Sequence, residues 1–97
     1  MDIRVESVKF DADKKLLAFI HDKVGKLERF FDAIIGVEVT LSLVPGHENK
    51  KAAIRVRIPG NDLLVERNYN TFEEAVSTCV DILKEQLVKA KEKMRGV

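Results

Sequence analysis

Cysteine occurs once in this 97-residue chain, at Cys79, which rules out an internal disulfide and fits a reducing compartment. Proline occurs only at Pro45 and Pro59, each followed directly by glycine, so both mark turns. No stretch approaches the roughly 18 consecutive apolar residues that a membrane span requires. The opening residues, Met1-Asp-Ile-Arg-Val-Glu6, alternate polar and apolar without the apolar core of a signal peptide, so a cytoplasmic protein is expected. Gly-x-Gly-x-x-Gly, a Walker-type Gly-Lys-Ser/Thr, Gly-x-Ser-x-Gly and paired Cys/His spacings are all missing. The two histidines, His21 and His47, stand too far apart for a local metal pair and read as solvent-facing side chains. The carboxylates fall at capping positions and on exposed helical sites, and no pair of them converges. No enzyme is therefore expected, and no metal, cofactor or small-molecule substrate.

What remains is an ordinary globular composition, 45% hydrophobic and 34% charged, enough for one core but not for two. Linkers, repeats and low-complexity segments do not interrupt it. Ile3 and Val5 alternate with Arg4 and Glu6, which predicts a first strand over residues 2–8. Asp11 or Asp13 then offers an N-cap for a helix starting near Lys14. Its apolar stripe is Leu16, Leu17, Ile20, Val24, Leu27 and Phe31, interrupted by Gly25 and closed by Gly36. Val37, Val39, Leu41 and Leu43 alternate with polar residues in a second strand, and Ala52, Ile54, Val56 and Ile58 do so in a third. The turn Pro59-Gly60-Asn61-Asp62 leads to a fourth strand over 63–69, where three consecutive apolar residues, Leu63 to Val65, leave the inward face open. Thr71 and Glu74 form a capping-box pair for a last helix running to about Met94. Its expected buried stripe is Phe72, Val76, Cys79, Leu83, Leu87, Ala90 and Met94.

The order β-α-β-β-β-α predicts an α+β fold. A crossover helix lets the first two strands pair in parallel, and short turns make strands two to four an antiparallel meander. The sheet is thus four-stranded and mixed. Each helix has one apolar stripe, so both must pack on the same face of the sheet. The opposite face, with Arg55 and Arg57, is left to water or a partner.

The net charge of +1 hides a polarised distribution, because residues 83–97 hold five cations against two anions. Placed at 100° intervals, Lys84, Lys91 and Arg95 fall on one flank of the last helix's buried seam. Lys89 and Lys93 fall on the other flank, and Glu85 and Glu92 lie at the back. On the first helix, Lys15, Lys23 and Lys26 share a flank with Phe19 and Phe30, and Arg29 lies further round. Two basic flanks on one side of a sheet make a groove suited to a phosphate backbone. The competing reading is a helix C-terminus whose lysines complement the dipole and keep the surface soluble. Spacing alone does not decide between them.

Two strings are more specific. Lys23-Val-Gly-Lys26-Leu27-Glu28-Arg29-Phe30-Phe31-Asp32 resembles the end of the first helix in the ribosome hibernation-promoting factors, the short ribosome-associated translation inhibitors also called sigma-54 modulation proteins. Ala75-Val76, Asp81, Leu83 and Gln86-Leu87-x-Lys89-x-Lys91-x-Lys93 resemble that family's second helix. The resemblance spans essentially the whole chain. It implies a fold similar to double-stranded-RNA-binding domains and a single ribosome-binding domain over residues 1–97, without the C-terminal dimerising domain of long members. It also implies a role in stress or stationary phase. The expected partner is the small ribosomal subunit and its rRNA near the decoding centre, bound by a monomer that blocks translation sterically. Carried over by position, Lys23, Lys26, Lys89, Lys91 and Lys93 match the family pattern, and Arg29, Lys84 and Arg95 join them on charge and placement. Ser77, Ile82 and Glu85 depart from it, which lowers the positive field on the second helix. The alternatives are a general double-stranded-RNA-binding module and a protein-binding modulator of transcription.

Overall fold

Alternation in the strands fixes the register of the whole molecule. The structure is a computed structural model that describes residues 1–95, with side chains described through Met94. In chain order it comprises β1 (Asp2–Ser7), α1 (Lys14–Gly25), a 3₁₀ turn (Lys26–Arg29), β2 (Gly36–Leu43), β3 (Lys50–Ile58), β4 (Asn61–Tyr69) and α2 (Phe72–Arg95). The sheet order is β1-β2-β3-β4. β1 runs parallel to β2, and the other two pairings are antiparallel. Val39 pairs with Val5 on one side and Ile54 on the other, and Ile54 pairs with Val65. One face therefore carries an unbroken apolar layer, as strict two-residue alternation demands.

Both helices cover that layer, as their single stripes require. Leu16, Ile20, Val24 and Leu27 are buried from the α1 side, and Phe72, Ala75, Val76, Cys79, Val80, Leu83 and Leu87 from α2. β4 resolves its ambiguous triplet by turning Val65 and Leu63 inward and leaving Leu64 half exposed. Gly60, at φ +80°, closes the β3-β4 hairpin in a conformation that a side chain would strain.

The helix starts follow local chemistry. Asp13, not Asp11, caps α1, its carboxylate accepting from the Leu16 amide at 2.8 Å. At α2 the Thr71 hydroxyl accepts from the Glu74 amide at 3.1 Å and donates to the Glu74 carboxylate at 3.1 Å. The carboxylate thus takes the hydroxyl proton, whereas the usual capping box binds the backbone amide of the capping residue. Phe10, in the loop after β1, stacks on Phe72 at 5.0 Å and ties that helix start to the first strand's exit.

Two helix ends differ from the spacing argument. α1 stops at Gly25 rather than continuing toward Gly36, tightens into the 3₁₀ turn, and then leaves helical geometry. Phe31 and Ile34 still reach the core, but from the connecting loop. At the other end, α2 keeps its helix after its core has run out. Leu87 is fully buried, Ala90 is only partly buried, and Met94 is 57% exposed. A 24-residue helix is about 36 Å long, more than the roughly 30 Å of the nine-residue strands beneath it.

Cys79 is a core residue with a polar task. Its thiol lies 3.6 Å from the Ala52 carbonyl and 3.7 Å from that of Val65, joining α2 to β3 and β4. Burial raises its pKa from 9.0 to about 11, and the nearby Arg67 cation only partly opposes this. The unfolded chain therefore loses this proton first, and the native state loses stability as pH rises from about 9 to about 11. Urea unfolding measured across that window should show a decline in stability that is shallower in Cys79→Ala.

Candidate nucleic-acid interface

The two sides of the molecule differ in how their charges are partnered. On the open face of the sheet, all four basic side chains meet a carboxylate. Lys51 pairs with Glu66 at 3.0 Å, Arg57 with Glu38 at 3.1 Å, Arg4 with Asp2 at 3.2 Å and Arg55 with Asp62 at 4.0 Å. The Arg57 contact is ionic rather than a directed hydrogen bond, since Oε2 of Glu38 is buried without hydrogen-bond geometry. Arg4 and Asp2 lie on one strand, and the other three pairs are cross-strand diagonals: Glu38 sits opposite Arg55 and reaches Arg57, Asp62 sits opposite Arg57 and reaches Arg55, and Glu66 sits opposite Ala53 and reaches Lys51. The face is consequently a mosaic with little field of its own.

On the helix side, the arrangement is different. Among the described residues, Lys15, Lys23, Arg29, Lys89, Lys91 and Lys93 form no salt bridge. Lys26 is tied to Asp22 at 3.4 Å, one helical turn back, and Lys84 to Asp81 at 3.9 Å. Both pairs are partly exposed and so hold their lysines only weakly. Lys23 stands over the Phe19 ring at 5.8 Å. The side chain of Arg95 lies outside the described residues.

Topology gathers these cations at one end. α1 returns from β1 to its parallel neighbour β2, and α2 folds back from β4, so the helices run in the same direction and end side by side. There the 3₁₀ turn meets the last turns of α2. Arg29, Phe30, Val88, Lys91 and Glu92 line a shallow groove of about 260 Å³, and the Lys84 ammonium sits over the Phe30 ring at 5.5 Å. Two converging helix C-termini bring their partial negative charges together, which favours cations nearby. That effect is spent within the last turn, whereas Lys84 stands three turns back from Arg95.

Of the residues singled out by sequence, the structure brings Arg29, Lys84 and Lys91 together at this groove. Lys89 and Lys93 are exposed on α2, with Lys89 beside Val88, Glu85 and Glu92 on its outer surface. Lys23 and Lys26 remain on the α1 side. Phe30, placed by spacing on the basic flank of the first helix, lines the groove, and so does Val88, an apolar neighbour of Leu87 that no motif marked as a site. Glu92, placed at the back by the projection, lines the groove as well. No helix among the described residues is long and apolar enough to cross a membrane, and none of their His, Cys, Asp and Glu side chains cluster as a metal site.

Comparison with known proteins places this geometry. The family model described as Sigma 54 modulation protein / S30EA ribosomal protein matches residues 3–95. A ribosome hibernation promoting factor from Azotobacter vinelandii is 26% identical over 93 residues, covering 96% of this chain and 85% of that protein. One from Pseudomonas putida is 23% identical over 97 residues, covering 100% of this chain and 93% of that protein. Among solved structures, the N-terminal domain of Protein Y from Thermus thermophilus superposes with a TM-score of 0.80 at 24% identity, covering 92% of this chain and 98% of that one. A ribosomal subunit interface protein from Coxiella burnetii gives 0.84 at 19% identity, covering 94% and 98%. These last two likenesses establish the fold.

The contrast between paired and unpaired cations has a direct readout on an immobilised polyanion. Lys89→Ala with Lys91→Ala and Arg55→Ala with Arg57→Ala remove equal charge. On heparin, the first double variant should elute at clearly lower salt than the wild type and the second close to it, because only the first pair faces solution unpartnered.

Proposed function

This chain belongs to the Sigma 54 modulation protein / S30EA ribosomal protein family, and from that membership we propose that it is a ribosome hibernation factor. It acts in the cytoplasm as a single ribosome-binding domain. As a monomer it binds the small subunit and lies against rRNA near the decoding centre. There it blocks translation by occupying space, under stress or in stationary phase. The family is non-enzymatic, so binding is the whole of the activity.

The observation that carries this reading is the set of unpartnered cations on the helix side of a domain whose opposite face is internally neutralised. Lys23, Lys26, Arg29, Lys84, Lys89, Lys91 and Lys93 are the proposed RNA-contacting residues, with Arg95 at the end of the same helix. Lys26 and Lys84 exchange a weak carboxylate contact for a phosphate. The free lysines need only release their counterions, which supplies the favourable term. Duplex RNA offers phosphates too, but its A-form shape is the same everywhere, whereas a ribosomal site has a shape of its own.

Sedimentation of the protein with purified small subunits at increasing salt tests the proposal. Co-sedimentation should be present at low salt and fall steeply, each neutralised phosphate adding about 0.7 to 0.9 to the logarithmic slope. Lys89→Glu, Lys91→Glu and Lys93→Glu together should abolish it with an unchanged circular dichroism spectrum, since all three side chains lie off the core. Salt-insensitive binding, or complete displacement by generic duplex RNA, would refute a specific ribosomal role.

A further inference from the structure

The groove where the helices end contains two features that phosphate binding alone does not use. One is its apolar surface. Phe30 is half buried with its ring under the Lys84 ammonium, and Val88 is 40% exposed between the groove and the outer face of α2. The other is Glu92, an anion among Arg29, Lys91 and Lys84 that has no salt-bridge partner among the described residues. Toward a phosphate, Glu92 is repulsive. Toward a nucleobase it is a strong acceptor, because amino and imino groups on the base donate to carboxylates.

We propose that this groove holds one unpaired nucleobase of the bound RNA, against Phe30 and Val88, with its Watson–Crick edge donating to the Glu92 carboxylate and its flanking phosphates on Arg29 and Lys91. The inference rests on the RNA-binding reading above and adds a selectivity to it. Guanine fits best, because its N1–H and N2–H donors lie side by side and meet both carboxylate oxygens. Cytosine and adenine each offer one amino group beside an acceptor nitrogen. Uracil fits worst, since its single N3–H is flanked by two carbonyl oxygens that repel the carboxylate. A base inside a duplex has its Watson–Crick edge occupied and its faces stacked, so only single-stranded or extruded nucleotides qualify. The cations make the site attractive to RNA, and Glu92 makes it selective among bases at a cost in overall affinity.

The test uses the full chain and fluorescent RNA hexamers of uridine carrying A, C or G at one central position, with all-uridine as reference and an RNA duplex as competitor. In anisotropy titrations at fixed salt, the guanosine hexamer should bind about tenfold more tightly than all-uridine, the discrimination typical of one bidentate base contact. Glu92→Gln should erase most of that preference while tightening binding of the all-uridine hexamer. Phe30→Leu, which keeps apolar bulk and removes the aromatic ring, should weaken the guanosine hexamer several-fold. Equal binding of all four hexamers by the wild type overturns the proposal, as does an equal gain for all four in Glu92→Gln. So does an absence of hexamer binding by a protein that still sediments with small subunits. Failure to sediment with subunits would instead remove the ribosomal reading on which the proposal stands.

Discussion

A sheet with only one buried face constrains everything else in this molecule. Two helices with one apolar stripe each cover a single apolar layer, and nothing is left to cover the other side. The uncovered face must then tolerate water over four strands, which it does by alternating charge across the ladder. The covered face takes its helices in one direction because the first crossover is parallel and the last strand points the same way as the first two. Their ends therefore meet, and the cations that ordinarily decorate a helix C-terminus become neighbours. The basic groove is a consequence of topology before it is a matter of composition.

Period-two alternation made the strands legible. Val37, Val39 and Leu41 could face only one way, and their partners Ile54 and Val56 followed. β4 was ambiguous because Leu63, Leu64 and Val65 fit either parity, and only pairing with β3 chose between them. The end of α1 was misleading for a physical reason. Leu27 and Phe31 continue the helical spacing, yet Phe31 reaches the core from a loop that follows the 3₁₀ turn. Gly25, weak in helix propensity, sits where the helix tightens, and a Cβ there would meet nothing within 4 Å, so close packing does not account for it. Met94 misled in the opposite way. Its spacing is correct, but no strand lies beneath it.

The candidate site divides similarly. The helical projection separated Lys84 and Lys91 from Lys89 and Lys93, and of these Lys91 lines the groove beside the 3₁₀ turn while Lys84 caps the Phe30 ring at its side. Pairings such as Lys51 with Glu66 join neighbouring strands and depend on register, so no local pattern announced that the sheet face would be neutral. Asp22 and Lys26 have the i,i+4 spacing of a local helical pair. The contact of Phe30 with the Lys84 ammonium has no such local pattern, because it depends on where the chain leaves the 3₁₀ turn.

The overhang of α2 separates two quantities that most small domains keep entangled. Up to Leu87 the inward face of α2 is buried, and substitutions on that face disturb packing. Beyond it, side chains meet mostly solvent, and their charges can drift with little penalty in folding. Lineages carrying this fold can thus retune attraction for a polyanion one lysine or glutamate at a time, without compensating changes in the core. Affinity becomes an evolutionary dial mounted outside the load of stability.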